Sequence, residues 1–205
     1  PPRSTLFPYT TLFRSLLDQV LPLEDAETAA VVAKSFASRG IRILTSTKAA
    51  GATAGPDGVA VSLTLPDGTA TTVEADRVLV SVGRAPNTDG IGLEKLGLTL
   101  TRGYIETGDW FETQVAGVYA IGDITTMPQL AHVASKAGEI AVEHIASLLK
   151  GTPEPAESRI GPYEIPAAVY CKPEVASFGL QEKKAKERAV RHQVARFPFR
   201  RSEEH

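Results

Sequence analysis

Gly117-Val118-Tyr119-Ala120-Ile121-Gly122-Asp123, followed after a short loop by Pro128-Gln129-Leu130-Ala131-His132, is the stretch whose reading decides the fold. The first run is dense in apolar residues and predicts a buried strand ending at Gly122-Asp123. From Gln129 to Lys150, Leu130, Val133, Ala134, Ala137, Ile140, Ala141, Ile145 and Leu148 fall on one stripe of a long helix. Gly151 and Pro153 stop that helix. Gly122 permits a phosphate or sugar to approach the backbone closely. Asp123, acceptor-only when ionised, suits a ribitol or ribose hydroxyl, and by itself would equally suit capping of the next turn. The helix start tips the balance. Its free N–H groups and positive dipole end point at whatever lies near Asp123. A reduced flavin carries negative charge along one edge of its ring, and a helix N-terminus is a sound electrostatic partner for it. Strand, Gly-Asp, short loop and helix therefore read as one flavin clasp.

Upstream, Arg77–Val82 is another nearly continuous apolar run, predicted as a strand buried on both faces. It delivers Gly83-Arg84-Ala85-Pro86-Asn87 to a strand end, where ligands of open α/β sheets bind. Gly83 there would let a planar cofactor reach the backbone; a simple strand-to-loop exit explains the same residues as well. Before it, Val59–Leu65 and Thr69–Glu74 alternate and are joined by Pro66-Asp67-Gly68, with a second turn signal at Pro56-Asp57-Gly58, giving a β-meander. Leu23-Glu24-Asp25 opens a helix to about Ser38, with acidic residues at its start and Gly40 as its stop. Ile41–Leu44 reads as a short strand, and Leu93–Leu100 as irregular. Downstream, Pro153–Gly161 reads as a linker. After it come strands at Ala167–Tyr170 and Val175–Phe178, a charged helix at Gln181–Arg191 and the start of a strand at Val194–Phe199.

The totals are those of an ordinary globular chain: 205 residues, 42% hydrophobic, 22% charged, net charge -2. A nucleic-acid binder would be expected to show a basic stripe, and no apolar run reaches the ~18 residues of a spanning helix. One cysteine, Cys171, leaves no internal disulfide and no cysteine-based metal framework. It fits a reducing, cytoplasmic setting. Four histidines show no metal-ligand spacing, so no metal site is expected. Residues 1–15, in which Thr-Leu-Phe occurs twice, and residues 201–205 read as translated sequencing-adapter sequence and are left out of the fold. On that reading the chain is an open window cut from a longer gene.

Taken together, these segments resemble the pyridine nucleotide–disulfide oxidoreductases from about Leu16 to Arg200. Gly117–Asp123 is similar to the family's second flavin motif, and Val82–Asn87 to the strand end joining its nicotinamide and flavin domains. Pro128–Lys136 with Gly138-Glu139 resembles the dihydrolipoamide dehydrogenase branch. Ile165–Tyr170 and Pro173–Ala176 resemble the opening of the dimer-interface domain. The resemblance implies an α/β protein with partial FAD/NAD(P)-binding Rossmann-like domains and a β-meander, then the start of an α+β dimerisation domain. The implied parts are 16–88 for the NAD domain, 89–155 for the closing flavin segment and 160–200 for the interface domain.

The same resemblance implies FAD and NAD as cofactors. Gly122 and Asp123 would lie at the flavin's ribitol side, and Gln129, Leu130, Ala131 and His132 would present backbone groups to its ring edge. Gly83 would line the NAD site, and the backbone of Ala49 would meet the adenine end of NAD. The whole protein would oxidise dihydrolipoamide as a homodimer serving lipoyl domains of 2-oxoacid dehydrogenase complexes. The redox cysteine pair and the catalytic His-Glu pair would lie outside these residues, so no catalytic residue is expected here and the chain alone is expected to be inactive. Cys171 matches neither redox cysteine and reads as structural. The rivals are a sister enzyme of the mercuric or glutathione reductase type, and a fragment that binds no cofactor. Trp110 and Phe111 read as packing anchors, His144 as a surface or packing residue, and His192 as a residue of a charged stretch.

Overall fold

A computed structural model describes residues 11–156 and 159–197. The described chain forms two compact units, one built from the residues up to Val80 and those from Pro166 onward, the other from Ser81 to Ile165.

In the first unit, helix α1 spans Ala26–Ser38. Its buried face is Ala29 and Val32, which join Val20 and Val175 in one core cluster, with Phe36, Ile43, Val169 and Cys171 packed around it. Gly40 follows the helix at φ +79°, a left-handed turn that glycine adopts without strain. The acidic residues at the head of α1 are engaged by the downstream chain. The Glu182 N–H donates to Asp25 Oδ1 at 3.0 Å, the Ser177 hydroxyl to Glu24 Oε1 at 3.1 Å, and Arg196 Nε to both carboxylate oxygens of Glu27 at 2.7 and 2.8 Å. The sequence showed a favourable helix dipole at this position and gave no sign of these partners.

Strand β1 (Leu12–Arg14) pairs in parallel with β2 (Arg42–Leu44). Leu12–Arg14 therefore take part in the fold, contrary to the expectation that residues up to 15 stand outside it. Main-chain pairing depends little on side-chain identity, and the edge of β2 offers unpaired N–H and C=O groups to any extended segment. Residues 1–10 and 198–205 lie outside the described residues.

The meander forms as expected and gains a third strand. Strands β3 (Lys48–Gly55), β4 (Gly58–Thr64) and β5 (Ala70–Ala75) make an antiparallel sheet in that order. β3 is composed of Ala, Gly, Thr and Lys and is exposed along its length, so it carries no alternating signal. Its register slips between Ala49 and Gly51, where Ala50 is the extra residue of a bulge. Strands β8 (Ala167–Val169) and β9 (Val175–Ser177) pair antiparallel, and α3 is Glu182–Glu187. The charged helix is thus shorter than Gln181–Arg191, and residues 191–197 form no strand.

In the second unit, helix α2 spans Ala131–Lys150, ended by Gly151 at φ +64°. Its buried face is Val133, Ala137, Ile140, Ala141, His144 and Ser147, and Phe111 completes the cluster that Trp110, Tyr119, Met127 and Ile160 flank. The expected stripe holds through Ala141. Beyond that, Ile145 is only partly buried and Leu148 is exposed, while His144 and Ser147 face inward. Two short strands, β6 (Leu100–Thr101) and β7 (Tyr104–Ile105), pair antiparallel, after a single 3-10 turn at Leu93–Leu96.

Neither predicted buried strand forms. Val78, Leu79, Val80 and Val82 are exposed and join no ladder. Gly117–Ile121 makes only an isolated antiparallel bridge, Glu112 to Tyr119. A strand buried on both faces needs neighbouring strands as well as covering helices, and no strand pairs in a ladder with either run among the described residues.

Candidate functional site

The Gly-Asp segment is shaped by a short reversal. The Val118 N–H donates to the Val115 carbonyl at 3.0 Å across Gly117, which sits at φ +78°. The returning chain is held by Thr113 N–H to the Val118 carbonyl at 2.8 Å and Ala120 N–H to the Phe111 carbonyl at 3.0 Å. Gly122 then adopts φ +78° and opens a 3-10 turn through Ile124. A side chain at Gly122 would be strained by that backbone alone. Thr125, fully buried, closes the turn by donating both its N–H and its hydroxyl to the Gly122 carbonyl, at 3.0 and 2.8 Å.

The turn packs on the first turns of α2. A Cβ placed on Gly122 would lie 3.7 Å from Ala134 Cβ, and one on Gly138 would lie 3.3 Å from Ile121 Cδ1. Gln129 Nε2 donates to the Asp123 carbonyl at 3.2 Å, tying the loop to the helix head. Leu130 occupies the cap position in extended conformation and makes no side-chain cap, and the first intrahelical bond runs from Ala134 N–H to its carbonyl. His132 lies in the first turn with an exposed side chain.

Asp123 is half-exposed and paired. Arg84 Nη2 donates to Asp123 Oδ2 at 2.9 Å, with side-chain exposures of 71% and 47%. A carboxylate offers about four acceptor sites over two oxygens, so Oδ1 remains for a second donor. The Arg84 carbonyl in turn accepts from the Tyr104 hydroxyl at 3.5 Å. Gly83, next to Arg84, has φ +131° and space where a Cβ would be.

Gly83, Gly122, Asp123, Gln129, Leu130, Ala131 and His132 therefore all fall in the second unit, with the glycine-aspartate turn on the helix head. Ala49 belongs to the first unit, on β3 beside its bulge. Sequence reasoning missed Arg84 as the partner of Asp123, though its charge was there to be matched, and it missed Thr125. It also missed the bond between Tyr119 and His144, where the hydroxyl and Nδ1 lie 2.9 Å apart. Burial, and after it the Glu112 carboxylate, push the Tyr119 phenol above its ordinary range.

The site is a shelf open to solvent. An open depression of about 580 Å³ lies in the first unit, lined by Ala33, Ala37, Ile41 and Ile43 among others, and contains none of the residues above. Among the described residues no group of His, Cys, Asp and Glu could hold a metal ion, and no helix is long and apolar enough to cross a membrane. Cys171 donates its thiol to the Pro173 carbonyl at 2.9 Å and packs against the core of its unit.

The described chain thus combines a three-stranded meander with a Gly-Asp turn seated at the N-terminal end of α2. The model of the family described as pyridine nucleotide-disulphide oxidoreductase matches residues 14–138, and that of the family's dimerisation domain matches residues 165–205. The chain belongs to the pyridine nucleotide-disulphide oxidoreductase family. It is 40% identical over 181 residues to the dihydrolipoyl dehydrogenase of Zymomonas mobilis, covering 88% of this chain and 38% of that one. It is 42% identical over 184 residues to the dihydrolipoyl dehydrogenase of Bacillus subtilis, covering 89% of this chain and 37% of the relative. The crystal structure of LpdA from Mycobacterium tuberculosis superposes with a TM-score of 0.73 at 35% identity, over 87% of this chain and 37% of that one. The chain thus spans a little over a third of the length of the relatives it matches. Proteins of this family use FAD and NAD.

Proposed function

We propose that this chain is the flavin-closing part of a flavoprotein that oxidises dihydrolipoamide to lipoamide with FAD and NAD. The observation that carries the reading is the Gly122–Asp123 turn held on the first turns of α2, with Asp123 Oδ1 left over as an acceptor. The residues fit the group. Gly122 keeps side-chain atoms away from the turn, Asp123 would accept from a ribityl hydroxyl, and Gln129 fixes the loop between them and the helix. The N–H groups of Ala131 and His132 would face the electron-rich edge of the ring, where the helix dipole favours negative charge. Bound FAD would supply the hydride chemistry, and these residues bind and orient it.

In the same reading Gly83 lines the nicotinamide site, and the bulged backbone at Ala49 meets the adenine end of NAD. Residues 16–88 close the NAD domain, 89–155 the flavin domain, and 160–200 begin the dimerisation domain, through which the whole protein would pair with a second copy. Its partners would be the lipoyl domains of 2-oxoacid dehydrogenase complexes, in the cytoplasm. With Cys171 the only cysteine, the disulfide step would draw on cysteines beyond these residues.

The test is FAD titration of the purified chain, followed by quenching of flavin fluorescence and by the absorption of bound flavin. Saturable binding that Asp123→Ala weakens supports the reading. No binding, or binding indifferent to Asp123, overturns it.

A further inference from the structure

One buried polar cluster takes no part in the proposed flavin site. His144 is only 7% exposed and stacks on Trp110, with ring centroids 4.7 Å apart and planes 15° apart. Tyr119 meets the same ring edge-on at 5.9 Å and shares the 2.9 Å hydrogen bond with its Nδ1. In the neutral ring with its proton on Nε2, the phenol donates and Nδ1 accepts.

The position of this bond gives it a role. Tyr119 lies on the segment that ends in Gly122–Asp123, and His144 lies well along α2. Three close approaches set that segment along the helix in order: the Tyr119 hydrogen bond to His144, Ile121 Cδ1 at 3.3 Å from where a Cβ on Gly138 would sit, and Ala134 Cβ at 3.7 Å from where one on Gly122 would sit. From His144 to Ala134 the helix rises about 15 Å toward its N-terminus. From Tyr119 to Gly122 the extended chain covers about 10 Å, and the Tyr119 side chain makes up the rest. The segment therefore runs antiparallel to α2 and arrives beside its first turn. The last two approaches are apolar and non-directional, so they tolerate sliding, whereas the hydrogen bond at Tyr119 has one satisfactory geometry. The single bridge from Tyr119 to Glu112 and the bond from Ala120 to Phe111 hold the segment to its own hairpin, not to the helix.

We propose that Tyr119 and His144 are positioning residues: their buried hydrogen bond sets the register of residues 119–123 along α2 and so places Gly122–Asp123 against the helix head. Its consequence for cofactor binding rests on the flavin reading above; the register itself does not.

Tyr119→Phe in the full chain removes only the hydroxyl and keeps the edge-on ring. His144→Phe removes Nδ1 and keeps an aromatic ring against Trp110, whose fluorescence as the chain's single tryptophan reports that the stack survives. Two readouts are taken, amide exchange at Ala120 and Thr125 and FAD affinity. Each variant is expected to speed exchange at both amides and weaken FAD binding by about five- to tenfold, the factor carried by one buried hydrogen bond. The double variant is expected to lose no more than either single one, as a shared interaction requires. Exchange at Ala29 and Val32, in the other unit, should not change.

Unchanged exchange at Ala120 and Thr125 overturns the proposal. So does faster exchange with unaltered FAD affinity and an unaltered spectrum of bound flavin, because the register would then not reach the site. Should the unmutated chain take up no FAD, the flavin reading fails on that result alone, and exchange still decides the latch.

Discussion

Replacing Asp123 with alanine separates a ligand contact from a structural one. Among the described residues its side chain pairs with Arg84, and both side chains are open to water, at 71% exposure for Arg84 and 47% for Asp123. Such a pair contributes about 0–1 kcal/mol to folding. Asp123→Ala should therefore leave the unfolding midpoint nearly where it was. A ribityl hydroxyl donating to the carboxylate would be a charge-assisted bond, with a contribution of about 1.5–3 kcal/mol. At about 1.4 kcal/mol per decade that is roughly a 10- to 150-fold rise in the dissociation constant for FAD. Asp123→Asn keeps one carbonyl acceptor and should fall between the two. Arg84→Ala leaves both carboxylate oxygens in place and should alter affinity less than Asp123→Ala does. The assay is flavin fluorescence quenching, with chemical denaturation of the same samples. If Asp123→Ala binds FAD as the unmutated chain does, or loses affinity only as far as it loses folded protein, the assignment of Asp123 is wrong.

Three further outcomes follow from the packing and charges. Ile140 is 1% exposed at the centre of the α2 cluster, and Ile140→Ala should destabilise the second unit by about 2–5 kcal/mol, read from denaturant midpoints; a loss well under 1 kcal/mol would mean the cluster is not a packed core. Gly138→Ala adds a Cβ 3.3 Å from Ile121 Cδ1, but Ile121 is 41% exposed and can swing aside. Recovered helix propensity should then leave a net gain of up to ~1 kcal/mol, and a drop in melting temperature would show that Ile121 is fixed. Arg196 holds the Glu27 carboxyl below its ordinary 4.5, chiefly by hydrogen bonding. The folded value is the lower one, so the stabilisation is complete above the ordinary carboxylate range and is lost as pH falls through the folded value. Glu27→Gln should flatten the acid limb of a stability-against-pH curve, modestly and less so in high salt. Identical acid limbs would refute the pairing in solution.

How far the sequence could be read depended on the range of the interactions involved. Helix α1, the meander turns and helix α2 follow from local periodicity and stop signals, and each appears within about two residues of its expected bounds. Strand β3 escaped because Ala and Gly carry no face, and its place in the sheet comes from pairing with β4. The acidic head of α1 was legible as a dipole partner, but its contacts with Ser177, Glu182 and Arg196 span far too much sequence to be inferred from spacing. At the site, Gly122, Asp123 and the helix start were read directly. Arg84 and His144 were visible as residues, but nothing in the sequence paired them with Asp123 and Tyr119.

The two runs that were read as buried strands fared differently, and the difference explains why the candidate site persists. Leu79, Val80 and Val82 are 91%, 72% and 84% exposed. Full burial of such side chains contributes about 1.5–3 kcal/mol each, so the three together approach the whole stability of a small domain, about 5–15 kcal/mol. Among the described residues no sheet takes them up. Gly117–Asp123 also lacks a ladder, yet it keeps its shape, because Phe111, Ala134, Gly138 and His144 all lie within about 25 residues of it in sequence. Closing loops of that length is inexpensive in entropy. A turn and helix fastened by such local contacts can hold the geometry of a ligand site without the rest of a sheet. That is why FAD affinity, and not turnover, is the property by which this chain should be judged.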